Sequence, residues 1–75
     1  MTTADDVRAR AMTLAGSDID MDEAIRELEM ECAGRRVAAV RARQQVVAWL
    51  DSEPDQPVAM RAVELLDQVV LRLPA

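Results

Sequence analysis

DMDEAIRELEMECAGRRVAAVRARQQVVAWLD, residues 20–51, is the stretch whose reading decides the architecture. Met21, Ala24, Ile25, Leu28, Cys32, Ala39, Ala42, Val46, Trp49 and Leu50 recur along it at helical spacing. Steps of three and four residues place them on one side of a 3.6-residue turn. Asp20 is a preferred N-cap, and Glu23 three residues later completes a capping-box pattern. The stripe keeps phase across Gly34, and Glu31 and Arg35 form an i,i+4 pair in the favourable order. The expectation is one continuous helix over 20–51, about 45 Å long at 1.5 Å per residue. Gly34 speaks against it, because Gly inside a helix costs about 1 kcal/mol relative to Ala. The rival arrangement breaks the chain at Gly34 and folds a compact four-helix unit.

The second half of this stretch carries a further apolar row, Ala33, Val37, Val40 and Val47. Val37 and Val40 lie well round the cylinder from the first stripe. A helix with two apolar faces has to be covered on two sides.

Outward from it, residues 4–15 read as a first helix. Thr3 caps it, Asp5 and Asp6 sit in its first turn, where the helix dipole favours negative charge, and Gly16 ends it. Asp51 to Gln56 is a turn punctuated by Pro54. Asp55 is a candidate cap for a last helix over 57–73, with Pro57 tolerated in its first turn. The fold class expected is therefore all-α: three helices, about 4–15, 20–51 and 57–73, in a single domain over 1–75. The two terminal helices together match the length of the central one and leave its second row uncovered. Assembly as a homodimeric helical bundle follows.

Composition points the same way. The chain has 75 residues, no Phe, no Tyr and one Trp. Aromatic side chains bury roughly 150–250 Å² each, so their absence thins the core. Small scaffolds compensate with disulfides, a metal or oligomerisation. One Cys excludes an internal disulfide, and with no His a structural zinc site has too few ligands. No apolar run approaches the roughly 20 residues that span a bilayer. The N-terminus lacks the basic-then-apolar order of a secretory signal, so a cytoplasmic setting is expected.

Net charge is −5, which disfavours whole-surface binding to nucleic acid or anionic membrane. Its distribution is uneven. Residues 1–31 carry −6, residues 32–50 carry +4 from Arg35, Arg36, Arg41 and Arg43, and residues 51–75 carry −3. An acidic–basic–acidic layout can align a partner, or equally make a set of solvated faces.

Chemistry finds little purchase. Without His, Lys or Tyr most general acids and bases are missing, and no Ser-His-Asp or Cys-His arrangement can form. Cys32 falls on the apolar stripe, as buried and inert thiols do. Asp18, Asp20, Asp22 and Glu29 fall at positions one, three, five and twelve of a pattern that resembles part of an EF-hand calcium loop. Position six, which needs Gly, is Glu23, and position nine is Arg26, so a capped, acid-rich helix start accounts for the acids. Asp51-Ser52 resembles the attachment site of acyl carriers, but Glu53-Pro54 follows and marks a turn. The four arginines of the basic segment scatter round the helix, whereas a groove-reading helix gathers its basic residues on one face. No cofactor and no metal are expected, and no catalytic residue. The functional reading is a protein–protein interaction module of adaptor, regulator or inhibitor type. Its contacts are Val37, Val40, Val47 and Trp49, with Arg36 and Arg41 as charged neighbours. A dimeric DNA-binding regulator, antitoxin-like, is the alternative. Calorimetric titration with millimolar calcium is expected to show no binding heat; a saturable heat lost on Asp20→Asn would restore the calcium loop.

Overall fold

The computed structural model describes residues 3–74 and is all-helical. It holds four helices where the sequence predicts three: α1 Ala4–Ala15, α2 Met21–Cys32, α3 Arg36–Ser52 and α4 Pro57–Arg72. The long central helix over 20–51 is not formed. Its two halves are α2 and α3, separated by a tight corner at 33–35.

That corner has a specific geometry. Ala33 has φ 51° and Gly34 has φ 79°, two successive left-handed residues. Gly adopts this region freely, whereas a residue with a Cβ does so at a cost. Ala33 N–H donates to Met30 O at 3.1 Å, and Arg35 N–H donates to Cys32 O at 2.9 Å. These bonds satisfy carbonyls that the end of α2 would otherwise leave open. Glu31 and Arg35 form no ion pair in the structure, because the helix that would align them stops between them.

The break wins because of what it lets the chain bury. A straight rod exposes much of each stripe, whereas a bent one turns both inward. Ile25, Leu28 and Cys32 from α2 and Ala39, Ala42 and Val46 from α3 enter the same core. Each apolar Å² removed from water contributes about 25 cal/mol, so a few side chains outweigh a handful of helical hydrogen bonds. α2 and α3 barely touch each other; both pack on α1 and α4, which are also in contact. The α1–α4 pair is thus the centre, with α2 and α3 against it.

Without aromatic side chains, the core is built largely of small residues. Eight of its seventeen residues are Ala: Ala11, Ala15, Ala24, Ala38, Ala39, Ala42, Ala59 and Ala62. Small residues at the contacts let helix axes approach the near end of the usual 8–10 Å range. Val7, Leu14, Leu65, Leu66 and Val69 fill what remains. The accessible surface is 4700 Å², against about 4,600 Å² for an ordinary folded monomer of this mass. The Cα radius of gyration is 11.1 Å, where about 11 Å is normal for the length. The four helices share one core, while large apolar side chains, Val37, Met60 and Leu71 among them, remain exposed.

The ends follow the capping expectations in part. Thr3 and Asp6 form a reciprocal capping box, each backbone N–H donating to the other's side chain at 3.2 Å. Asp20 caps α2 by accepting from Asp22 N–H at 3.2 Å, without a return arm from Glu23. Gln56, not Asp55, occupies the cap position of α4, with no side-chain bond, and Pro57 opens the helix. Arg61 Nη1 donates to Ala15 O at 3.3 Å, placing a cation at the negative end of α1.

Gly34 tests the corner by sign. On a continuous helix Gly34→Ala gains about 1 kcal/mol; on a left-handed corner it loses about 1 kcal/mol. Nothing lies within 4 Å of a Cβ added there, so the effect is one of backbone alone. Urea denaturation is expected to show destabilisation for Gly34→Ala and stabilisation of about 0.5–1 kcal/mol for Ala33→Gly.

Candidate interaction faces

The helical repeat sorts the residues of α3 into sides. Ala38, Ala39, Ala42 and Val46 face the core. Val37, Val40 and Val47 fall within about 80° of one another on the side turned away from it, at 100° per residue. Val37 is 50% exposed, and Val40 and Val47 are half-buried. Trp49 stands about 120° or more from all three. The six residues singled out from sequence therefore do not make one site; they divide between two faces.

The first face is the outer side of α3 where it meets α4. These helices run antiparallel through the short turn at 53–56, and Arg43 Nε is hydrogen-bonded and ion-paired with Asp67 Oδ1 across them. That pairing sets the register: Val47 lies level with Val63 and Val40 with Val70. Val63 and Val70 are partly buried against the core. Beyond them on α4, Met60 is 55% and Leu71 76% exposed. Apolar groups thus stand on both sides of one ion pair. Sequence reasoning missed Met60 and Leu71. Both lie off the side of α4 that carries Ala59, Ala62, Leu65, Leu66 and Val69, so an apolar residue out of phase with the core spacing was the available signal.

Charge brackets this row. Arg36 lies about 60° to one side of its centre and Arg41 about 80° to the other. Among the described residues Arg8, Arg10, Arg43 and Arg72 form ion pairs with Asp5, Glu27, Asp67 and Glu29. Arg26, Arg35, Arg36, Arg41 and Arg61 form none, though Arg61 donates to the Ala15 carbonyl. Three of them, Arg35, Arg36 and Arg41, lie within 35–41, the cap and first six positions of α3. Among the described residues none of Arg35, Arg36, Arg41 and Arg43 pairs with the acidic stretch Asp22 to Glu31. Arg36 Nε is buried without a hydrogen-bond partner.

The second face is a cleft of about 280 Å³ between α1 and α3, lined by Arg8, Met12, Gln45, Val46 and Trp49. Trp49 is 39% exposed, so it is neither a core residue nor fully free. Its Nε1–H donates to Glu53 Oε2 at 2.8 Å. Gln45 Oε1 is buried there without a partner.

Among the described residues no group of His, Cys, Asp or Glu is placed to hold a metal ion, and no helix is long and apolar enough to cross a membrane. Cys32 is fully buried. Burial, then the charges of Glu31 and Glu29, push its thiol from 9.0 up to about 11. Comparisons with family models, curated proteins and solved structures found no match, so the geometry alone carries the functional reading.

Cys32 gives a clean pH prediction. The chain has no His or Tyr, and all nine of its basic residues are Arg, so no other side chain titrates between 9 and 11. The folded thiol keeps its proton where the unfolded one loses it. Stability from this group is full below 9.0 and is lost as pH rises towards about 11. Thermal melts across that window are expected to fall for the parent chain and stay flatter for Cys32→Val. Equal slopes would show that the thiol is not perturbed.

Proposed function

We propose that the chain is a non-catalytic protein-interaction module whose contact surface is the outer side of α3 and its seam with α4. The observation that carries this is Val37, half-exposed on a helix whose core side is fully used, between Arg36 and Arg41, which have no ion pair among the described residues. Val40, Val47, Met60 and Leu71 extend the apolar area on either side. Contacts of this kind draw affinity from desolvated apolar groups, while flanking charges set register and partner choice. Trp49 is a separate contact point on the α1 side. A cytoplasmic setting suits a single buried thiol and is part of the reading.

Two occupants of the face have an observation behind them besides an unrelated protein. A homodimer rests on the same exposed valines. The regulator that binds DNA rests on Arg35, Arg36 and Arg41 being without acidic partners. Against the latter stand the net charge of −5 and the spread of these arginines round the helix.

Val37→Asp tests the face without touching the core. It is expected to leave the circular dichroism spectrum unchanged and to shift the melting temperature by no more than a few degrees, since exposed substitutions change stability by about 0.5 kcal/mol or less. In affinity capture from the native cell, proteins held by the parent chain should be absent with Val37→Asp. An identical captured set for both chains would count decisively against the α3 face.

A further inference from the structure

Resting on that reading of the α3–α4 face, we infer the chemistry of what covers it: an acidic amphipathic helix of another protein, seated along Val37, Val40 and Val47. Three features of the structure lead there.

Charge comes first. The apolar row is bracketed by Arg36 and Arg41, and neither has an internal partner among the described residues. The first turn of α3 holds no acid, and its cap, Arg35, makes no side-chain hydrogen bond. The positive end of the helix dipole therefore adds to the same field. Asp51 near the end of α3 and the exposed Glu64 of α4 offset it in part, beyond the first turn of α3 where the field is strongest. A partner presenting carboxylates on both flanks of an apolar stripe is complementary; a neutral or basic one is not.

A second copy fits poorly. A symmetric pair formed through one patch sets the patch against itself. Antiparallel pairing of the Val37–Val47 rows has its two-fold axis near Ala42, one residue from Arg41, and brings the two copies of Arg41 together.

The partner's backbone comes third. The described residues contain no strand, so no sheet edge is available to an extended segment. An extended chain laid on α3 would lose water from N–H and C=O groups with nothing to pair them. A helix satisfies its own backbone and offers side chains at the same spacing as Val37, Val40 and Val47. A run of between four and five turns matches the roughly 25 Å of α3.

Large polyanions are a weaker match. DNA or an anionic vesicle meets the whole surface, which is net negative, whereas a short helix meets only the basic strip.

Three synthetic 18-residue amphipathic helices test this, with the same leucine stripe and flanks of Glu, Gln or Lys. The Glu peptide is expected to bind the full chain about tenfold tighter than the Gln peptide at low salt, the return expected from two exposed ion pairs. The advantage should vanish by about 0.5 M salt, where the screening length is only a few ångströms. Arg36→Glu with Arg41→Glu should reverse the order in favour of the Lys peptide. Amide NMR shifts should map to α3 and α4, not to the Trp49 cleft. Equal binding of Glu and Gln peptides would overturn the acidic partner but leave the contact face standing. Failure of all three peptides would overturn the helical partner, and if capture is still Val37-dependent the face itself survives. A Val37-dependent dimer by sedimentation would assign the face to a second copy. Binding of duplex DNA or phosphatidylserine vesicles that is tighter than the Glu peptide and lost in the double Arg variant would also overturn the proposal.

Discussion

Everything in this fold depends on a two-residue left-handed corner. Ala33 and Gly34 turn the chain between α2 and α3 with φ of 51° and 79°. Without that reversal the apolar stripes of residues 21–32 and 38–46 would lie along one rod. They could not both reach α1 and α4, which form the middle of the bundle. The local cost falls on Ala33, since Gly34 is at ease there. The return is distributed over a core of seventeen side chains. This is the usual balance in a small domain, where a strained backbone position persists because the packing around it over-determines the turn.

Close packing is the second consequence. A core that is nearly half Ala has small side chains and little volume to spend. It works because helices that meet through Ala approach closely, so a given length of helix needs less side chain to fill the gap. An aromatic-poor composition read without geometry points to oligomerisation; with geometry it fits closely spaced helices. The largest fully buried side chains are Leu28, Leu65 and Leu66.

This also shows what could be read from residues alone. The bounds of α1 were legible because Thr3, Asp6 and Gly16 supply both ends. Pro54 and Pro57 framed α4 to within a residue. The corner was not legible, and the reasons are physical. Hydrophobic phase survives the break, since α2 and α3 face the same core and only three residues separate them. Nothing announces α3 either: its cap is Arg35, without a side-chain bond, and its first turn holds no acid. Periodicity reports which side of a helix is apolar and is silent on whether the chain has turned round. Gly34 was the one local sign. The candidate contacts were half legible. Val37, Val40 and Val47 do share a side, but the split from Trp49 and the contribution of Met60 and Leu71 required the packing of α3 on α4 and α1.

The placement of charge bears on why α3 begins as it does. A helix start gains from acids in its first turn and from a capping side chain. The other helices conform where they can: Asp5 and Asp6 open α1, Asp22 and Glu23 open α2, and Pro57 opens α4. α3 has Arg35 and Arg36 there instead, with Arg41 a turn further on. Arg35 and Arg36 stand at the positive end of the dipole, and none of the three has an ion pair among the described residues. Acids are abundant in the chain, fourteen against nine Arg, so local neutralisation was within reach of the composition. Stability alone does not account for this arrangement. A carboxylate-bearing partner does, because it would supply from outside the negative charge that the start of α3 lacks. It would also cover Val37, which the four helices leave half-exposed to water.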